Sequence, residues 1–180
     1  MQQSPQQRVC HIGTDPHVAE ALARTHHLLV SSPEEATLIV CSLRGDELLD
    51  AISSLEPLVH PGQVVVHTDP RMGAQVLDPL EVRGAMCVAL GALGDMWCVS
   101  AVDELGATIG TVLAAEMGGM SVVIDDADRP LIGRVAESLD TARTSYVEAH
   151  RILRDVTGSD DLATHVVQEH VGLVVSTFEK

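Results

Sequence analysis

Positive charge is scarce in this 180-residue chain. Ten arginines and one lysine stand against 26 acidic residues, a formal net charge of −15 with the histidines neutral. Nucleic acids and anionic membranes need clustered positive charge to displace counterions, so this balance excludes both as partners. The single lysine is the terminal Lys180. That removes a lysine Schiff base, a lysine general base and a phosphate-gripping lysine from consideration. One Trp, one Tyr and one Phe leave the core to aliphatic side chains and supply no base-stacking platform. No stretch approaches the roughly 18 apolar residues of a membrane span, and the polar opening Met1–Gln7 does not read as a signal peptide. The four cysteines, Cys10, Cys41, Cys87 and Cys98, form no CxxC pair and each sits in a short apolar run. They read as small buried hydrophobes rather than metal or redox groups, and the expected compartment is the cytoplasm.

The apolar fraction of 46% is enough to close a core. Short apolar runs that read as buried parallel strands are Val9–Ile12, Leu28–Val30, Leu38–Ser42, Val64–His67, Met86–Leu90, Trp97–Ser100 and Ser121–Ile124. Helical patterns lie between most of them, at Pro16–Arg24, Asp46–Leu58, Met72–Val82 and Asp103–Met117. Asp15 is placed to cap the first helix, Pro61-Gly62 to turn into the fourth strand, and Gly118-Gly119 to end the fourth helix. Alternation of this kind implies an α/β protein with a doubly wound, mostly parallel sheet.

Beyond residue 127 the texture is helical. A long helix from Asp128 to Val156 carries Ile132, Val135, Leu139, Ala142, Tyr146, Ala149 and Leu153 at 3-4 spacing. After a break at Gly158-Ser159-Asp160, a last helix carries Leu162, Val166, Val167, Val171, Val174, Val175 and Phe178. The stripe suits a partner helix, either the one that follows or that of a second copy. The expected division is 1–127 for the sheet domain and 128–180 for a short C-terminal helical segment that dimerises. A homodimer is the expected assembly.

The first strand, turn and helix form a candidate anion site, Gly13-Thr14-Asp15-Pro16-His17. A dinucleotide fingerprint would place glycine at 13, 15 and 18, and only Gly13 is present. Asp15 takes the position where the backbone must close on a pyrophosphate, and a carboxylate there repels phosphate. A helix amino terminus still favours anions, and a protonated His17 would offset part of the repulsion. An ordinary strand-turn-helix would look the same. Ser31 and Ser32 after the second strand would neighbour a ribose, or simply start a helical turn before Pro33.

From Leu38 to Leu131 the order of pieces is that of a known group. Leu38-Ile39-Val40-Cys41-Ser42, the run His60-Pro61-Gly62-Gln63-Val64-Val65-Val66-His67-Thr68, then Arg83-Gly84-Ala85, Gly118-Gly119 and Asp125–Pro130 carry it. The chain resembles the 6-phosphogluconate-dehydrogenase-like Rossmann superfamily, and looks closest to Rossmann-like oxidoreductases related to pyrroline-5-carboxylate and ketopantoate reductases. The resemblance covers about two thirds of the chain. It implies an NADP-type cofactor over the first loop, with Ser42, Leu43 and Arg44 beside the nicotinamide ribose and Thr68 nearby. It also implies pairing through the helical segment. Against the pattern stand the lost glycines, Asp69-Pro70 where relatives carry a Ser-Gly pair, a shorter helical part, and no internal lysine for the acid–base role some relatives give that residue.

Other candidates have plainer readings. His67 and Asp69 lie at a strand's carboxyl end and would serve proton transfer only if the strand carried both to one face; Asp69-Pro70 reads more simply as a turn. The adjacent His26 and His27 cannot face one site, and His165, Glu169 and His170 lack further ligands, so no metal is expected. Asp125, Asp126 and Asp128 read as helix-start carboxylates. Two functions follow: an NAD(P)-binding oxidoreductase of unassigned substrate and catalytic residues, or a non-catalytic module that binds a small anionic ligand or a protein partner.

Overall fold

The computed structural model describes residues 5–178, so Lys180 and the first four residues of the polar opening lie outside the described residues. It falls into two compact units that meet between Arg134 and Val135.

The first unit is a seven-stranded sheet with the order β2-β1-β3-β4-β5-β6-β7. Its strands are β1 (Arg8–Gly13), β2 (Leu28–Val30), β3 (Leu38–Ser42), β4 (Val64–His67), β5 (Met86–Leu93), β6 (Met96–Ala101) and β7 (Met120–Val123). The helices are α1 (Pro16–Ala23), α2 (Asp46–Leu55), the short α3 (Asp78–Glu81) and α4 (Glu104–Glu116), with the start of α5 (Arg129–Thr157). β1 to β5 run parallel. The sheet is doubly wound and mostly parallel.

Strand alternation explains the two cores. Val9, Val40, Val66 and Val88 face α1 and α4, where Val18, Leu22, Leu113 and Met117 meet them. Their sequence neighbours Cys10, Ile39, Cys41, Val65 and Cys87 face the other side, against Leu48, Ile52 and Leu55 of α2 and Leu80 of α3. All four cysteines are buried and free. Burial pushes the thiols of Cys41 and Cys87 up to about 12, which keeps them as inert packing groups.

Three expectations need correction. β6 runs antiparallel to β5, joined by the two-residue turn Gly94-Asp95 with Leu93 opposite Met96. Gly94 adopts φ 62°, as such a hairpin turn requires. Parallel neighbours need a crossover of about a dozen residues, and too few separate these runs. The expected helix Met72–Val82 is a 3-10 turn, Ala74–Leu77, followed by the single α turn α3. Pro79 has no N–H to continue a ladder from Gln75. Finally, β2 and β7 are not buried, because the strand order puts them at the two edges, where Leu28, Leu29, Met120 and Val123 stay exposed.

The second unit is the rest of α5 with α6 (Asp160–Val175), capped by Ser159, whose hydroxyl accepts from the Leu162 N–H. Tyr146 and His170 rings lie 6.2 Å apart, and His150 Nε2 bonds the Thr164 hydroxyl at 3.0 Å. Among the described residues of this unit, only Ala163 is fully buried. Tyr146 and Leu153 are half-buried, while Val135, Leu139, Val147, Ile152 and Val156 are exposed. The 3-4 stripe is therefore only partly covered by α6. Among the described residues no helix is long and apolar enough to cross a membrane.

Candidate functional site

β1 is followed in sequence by β2 on one side and then by β3 on the other. The chain thus reverses its winding between β1 and β3, and the crevice outside their carboxyl ends is where open α/β sheets receive ligands. Gly13 ends β1 at that crevice with φ 131°, a conformation that L side chains rarely adopt. A Cβ added there would stand 2.5 Å from both the Ser42 carbonyl oxygen and its hydroxyl oxygen. Glycine is therefore obligatory: the turn lies flat on the end of β3.

Asp15 follows. Its carboxylate accepts from the N–H groups of His17 at 2.9 Å and Val18 at 3.4 Å, so the protein's own anion caps α1. Thr14 is exposed and Pro16 occupies the first helical position. The His17 ring stacks over Trp97 of β6, centroids 6.0 Å apart and planes 20° from parallel. Val18 takes the third fingerprint position and is fully buried in the core, where a glycine would have let α1 approach more closely.

His11, two residues before Gly13, points to the same face as Ser42, and its Nε2 lies 2.7 Å from the Ser42 hydroxyl. Burial lowers the His11 pKa, and the nearby Asp15 carboxylate partly restores it. Leu43 is half-buried and Arg44 exposed in the loop after β3. Ser31 is exposed and Ser32 half-buried after β2, ahead of the 3-10 turn Pro33–Glu35. Thr68 is buried at the end of β4, its N–H bonded to the Cys41 carbonyl at 3.0 Å. Gly13 to His17, Ser31 and Ser32, Ser42 to Arg44, and Thr68 all lie on the carboxyl rim of β1 to β4, though on separate loops.

A buried polar network supports this rim from the α2 side. β4 stops at His67, so His67 and Asp69 do not share a strand face. The His67 Nε2 donates to the Gly73 carbonyl at 3.0 Å. Burial, aided by the Arg129 charge, lowers its pKa to about 4. Asp69 instead clamps loops: its carboxylate accepts from the Gly45 N–H at 2.9 Å, the Arg71 N–H at 2.9 Å and the Arg71 guanidinium at 3.1 Å. Those donors hold the Asp69 carboxyl below its usual range against the opposing effect of burial. Arg129 lies fully buried, donating to the carbonyls of Ala89 and Cys98 and to the Ser100 hydroxyl. Asp126 completes the network, bonding the Ser100 hydroxyl and accepting from the Ala74 N–H. Of the three acids before α5, Asp126 is thus a tertiary clamp, while Asp125 caps the 3-10 turn at Ala127.

Sequence reading missed His11, Arg129 and the loop clamp of Asp69. A histidine at the inward end of an apolar strand was the one available signal for His11. Nothing local marks Arg129 as buried. Among the described residues no group of three or more His, Cys, Asp or Glu is set to hold a metal ion. A cavity of about 840 Å³ lies elsewhere, beside the carboxyl end of β6, with Asp78, Glu81, Asp125 and Asp126 in its wall.

No protein-family model matches the chain, and no curated protein matches it in sequence. Solved structures do match. Pyrroline carboxylate reductase of Plasmodium falciparum, solved with NADP bound, superposes with a TM-score of 0.68 at 12% identity, over 97% of this chain and 79% of that one. The 1-pyrroline-5-carboxylate reductase of Streptococcus pyogenes gives 0.69 at 14% identity, over 97% and 80%. A reductive aminase of Aspergillus terreus, solved with NADPH and ethyl levulinate, gives 0.72 at 12% identity, over 97% and 75%. The chain has the Rossmann-like fold of these reductases. At such identities the likeness is one of fold, and the neighbours include pyrroline carboxylate reductases, to which the oxidoreductases that the sequence resembles are related.

Proposed function

We propose that the chain is an NAD(P)-binding Rossmann-like oxidoreductase of unassigned substrate, with NADP as its cofactor. The observation that carries this reading is the switch point between β1 and β3, where Gly13 at φ 131° lies directly on Ser42. A flat, side-chain-free turn at that crevice is what a dinucleotide needs. The reading places the phosphates at Gly13, Thr14, Asp15, Pro16 and His17, the adenosine ribose at Ser31 and Ser32, and the nicotinamide ribose near Ser42, Leu43, Arg44 and Thr68. NADP in the Plasmodium enzyme of the same fold supports the choice of cofactor. The fit is incomplete at one point: Asp15 already occupies N–H groups at the α1 terminus that a pyrophosphate would use. Isothermal titration with NADPH and NADH tests the reading. Saturable binding of NADPH upholds it, and no heat with either dinucleotide up to millimolar concentration overturns it.

The self-capped α1 terminus favours a second reading, a non-catalytic module that binds a small anionic ligand or a protein partner. It would give a thermal shift with inorganic phosphate or pyrophosphate and none with dinucleotides.

The proposal extends to organisation. Residues 1–127 form the nucleotide domain of a cytoplasmic protein, and 128–180 a dimerisation segment. Exposed Val135 and Leu139 on the 3-4 stripe of α5 support the latter.

A further inference from the structure

We infer that phosphate binding at the Gly13–His17 turn is coupled to proton uptake by His11. The inference rests on the nucleotide reading above and adds its regulation. From Val9 to Glu20 the chain contains no lysine or arginine, so the turn and its flanks carry no fixed side-chain cation. Asp15 stands in this turn, and its carboxylate sits on the α1 amino terminus where a phosphate would lie. An incoming diphosphate meets a carboxylate with no fixed positive charge beside it in the turn. Binding then favours the protonation state that supplies that charge, and by linkage the anion raises the pKa of the His11 imidazole.

The surroundings of the His11 ring suit this role. His11 is half-buried, with Asp15 as the charged group bearing on it and Ser42 of β3 as its hydrogen-bond partner at 2.7 Å. Burial lowers its pKa in the free chain and so favours the neutral ring. Once protonated, its Nε2–H can only donate to the Ser42 oxygen, which turns the serine proton away from the ring and leaves it for an anion.

ADP-ribose is the probe, because it carries the diphosphate without a 2′-phosphate that itself titrates near neutrality. Titration calorimetry at pH 5.5, 6.5 and 7.5, in buffers of different ionisation enthalpy, reads affinity and protons together. Binding is expected to tighten about five- to tenfold from pH 7.5 to 5.5, with net proton uptake at pH 6.5. His11→Gln keeps a partner for Ser42 but cannot titrate, and it should flatten the pH dependence. Ring-proton titration by NMR of the unmodified chain, with and without ADP-ribose, gives an independent check in which the His11 pKa rises on binding. Saturable binding with a flat pH profile and no proton uptake overturns the coupling and leaves the nucleotide reading standing. Absence of binding by ADP-ribose, NADH and NADPH at all three pH values overturns both.

Discussion

Arg129 brings a full positive charge into the interior, with its side chain only 1% exposed. Desolvating a guanidinium is costly unless its donors are met, and here strand carbonyls, Ser100 and Asp126 meet most of them. Arg129→Ala would strip those acceptors of their donor together. It is expected to lower the unfolding free energy by roughly 3–5 kcal/mol, measured by urea denaturation. His67 makes the complementary case. Its folded pKa of about 4 lies below the usual value of about 6.5, so between these values the unfolded chain binds the proton and the folded chain does not. Stability is therefore complete above about pH 6.5 and is lost progressively as the pH falls towards 4, on the order of 3 kcal/mol for this group. His67→Gln keeps a donor for the Gly73 carbonyl without titrating, and should flatten that part of the stability–pH curve. An unchanged curve would mean that His67 is not held neutral by burial.

At the scale of elements, α1 shows one residue serving two opposed demands. Asp15 satisfies free N–H groups of an eight-residue helix and at the same time blocks them to an outside anion. Asp15→Gly should cost the fold only a few tenths of a kcal/mol, because glycine is a tolerable cap. The same change should tighten NADPH binding by removing a carboxylate and allowing close backbone approach. Paired thermal melts and titrations separate the two effects, and unchanged or weaker affinity would displace the phosphates from this turn. The strand runs of β1, β3 and β4, the cap at Asp15 and the stop at Gly118 were all legible in the sequence, since each depends on a few adjacent residues. The direction of β6 and the collapse of the expected third helix depended on a two-residue turn and one proline, whose weight shows only in context.

For the whole molecule, the apolar face of α5 is the unresolved demand. The second unit, where Ala163 alone among the described residues is fully buried and Leu139 is 57% exposed, gains little from its own packing. A second copy supplies a matching face by two-fold symmetry. Sedimentation at micromolar concentration should give twice the 19.1 kDa chain mass. Raising the salt should strengthen the association, because a charge of −15 on each copy is then screened. Leu139→Asp should return the monomer, since it places carboxylates in the seam. A wild-type monomer would show that α5 and α6 need no second copy.

Composition and pattern alone determined the class of this protein: an acidic, aliphatic, doubly wound α/β chain with a helical tail and a glycine-poor first turn. Those properties are local or additive, and they survive in the order of residues. The functional rim was legible only in part. Gly13 and Asp15 announce themselves because turn and cap chemistry act over two or three positions. Tertiary structure alone decided that His11 meets Ser42 across 31 positions, that Asp69 holds the loop before α2, and that Arg129 leaves the surface for the sheet. Those pairings follow from strand order and register, which bring distant residues to one rim, and no spacing along the chain encodes them.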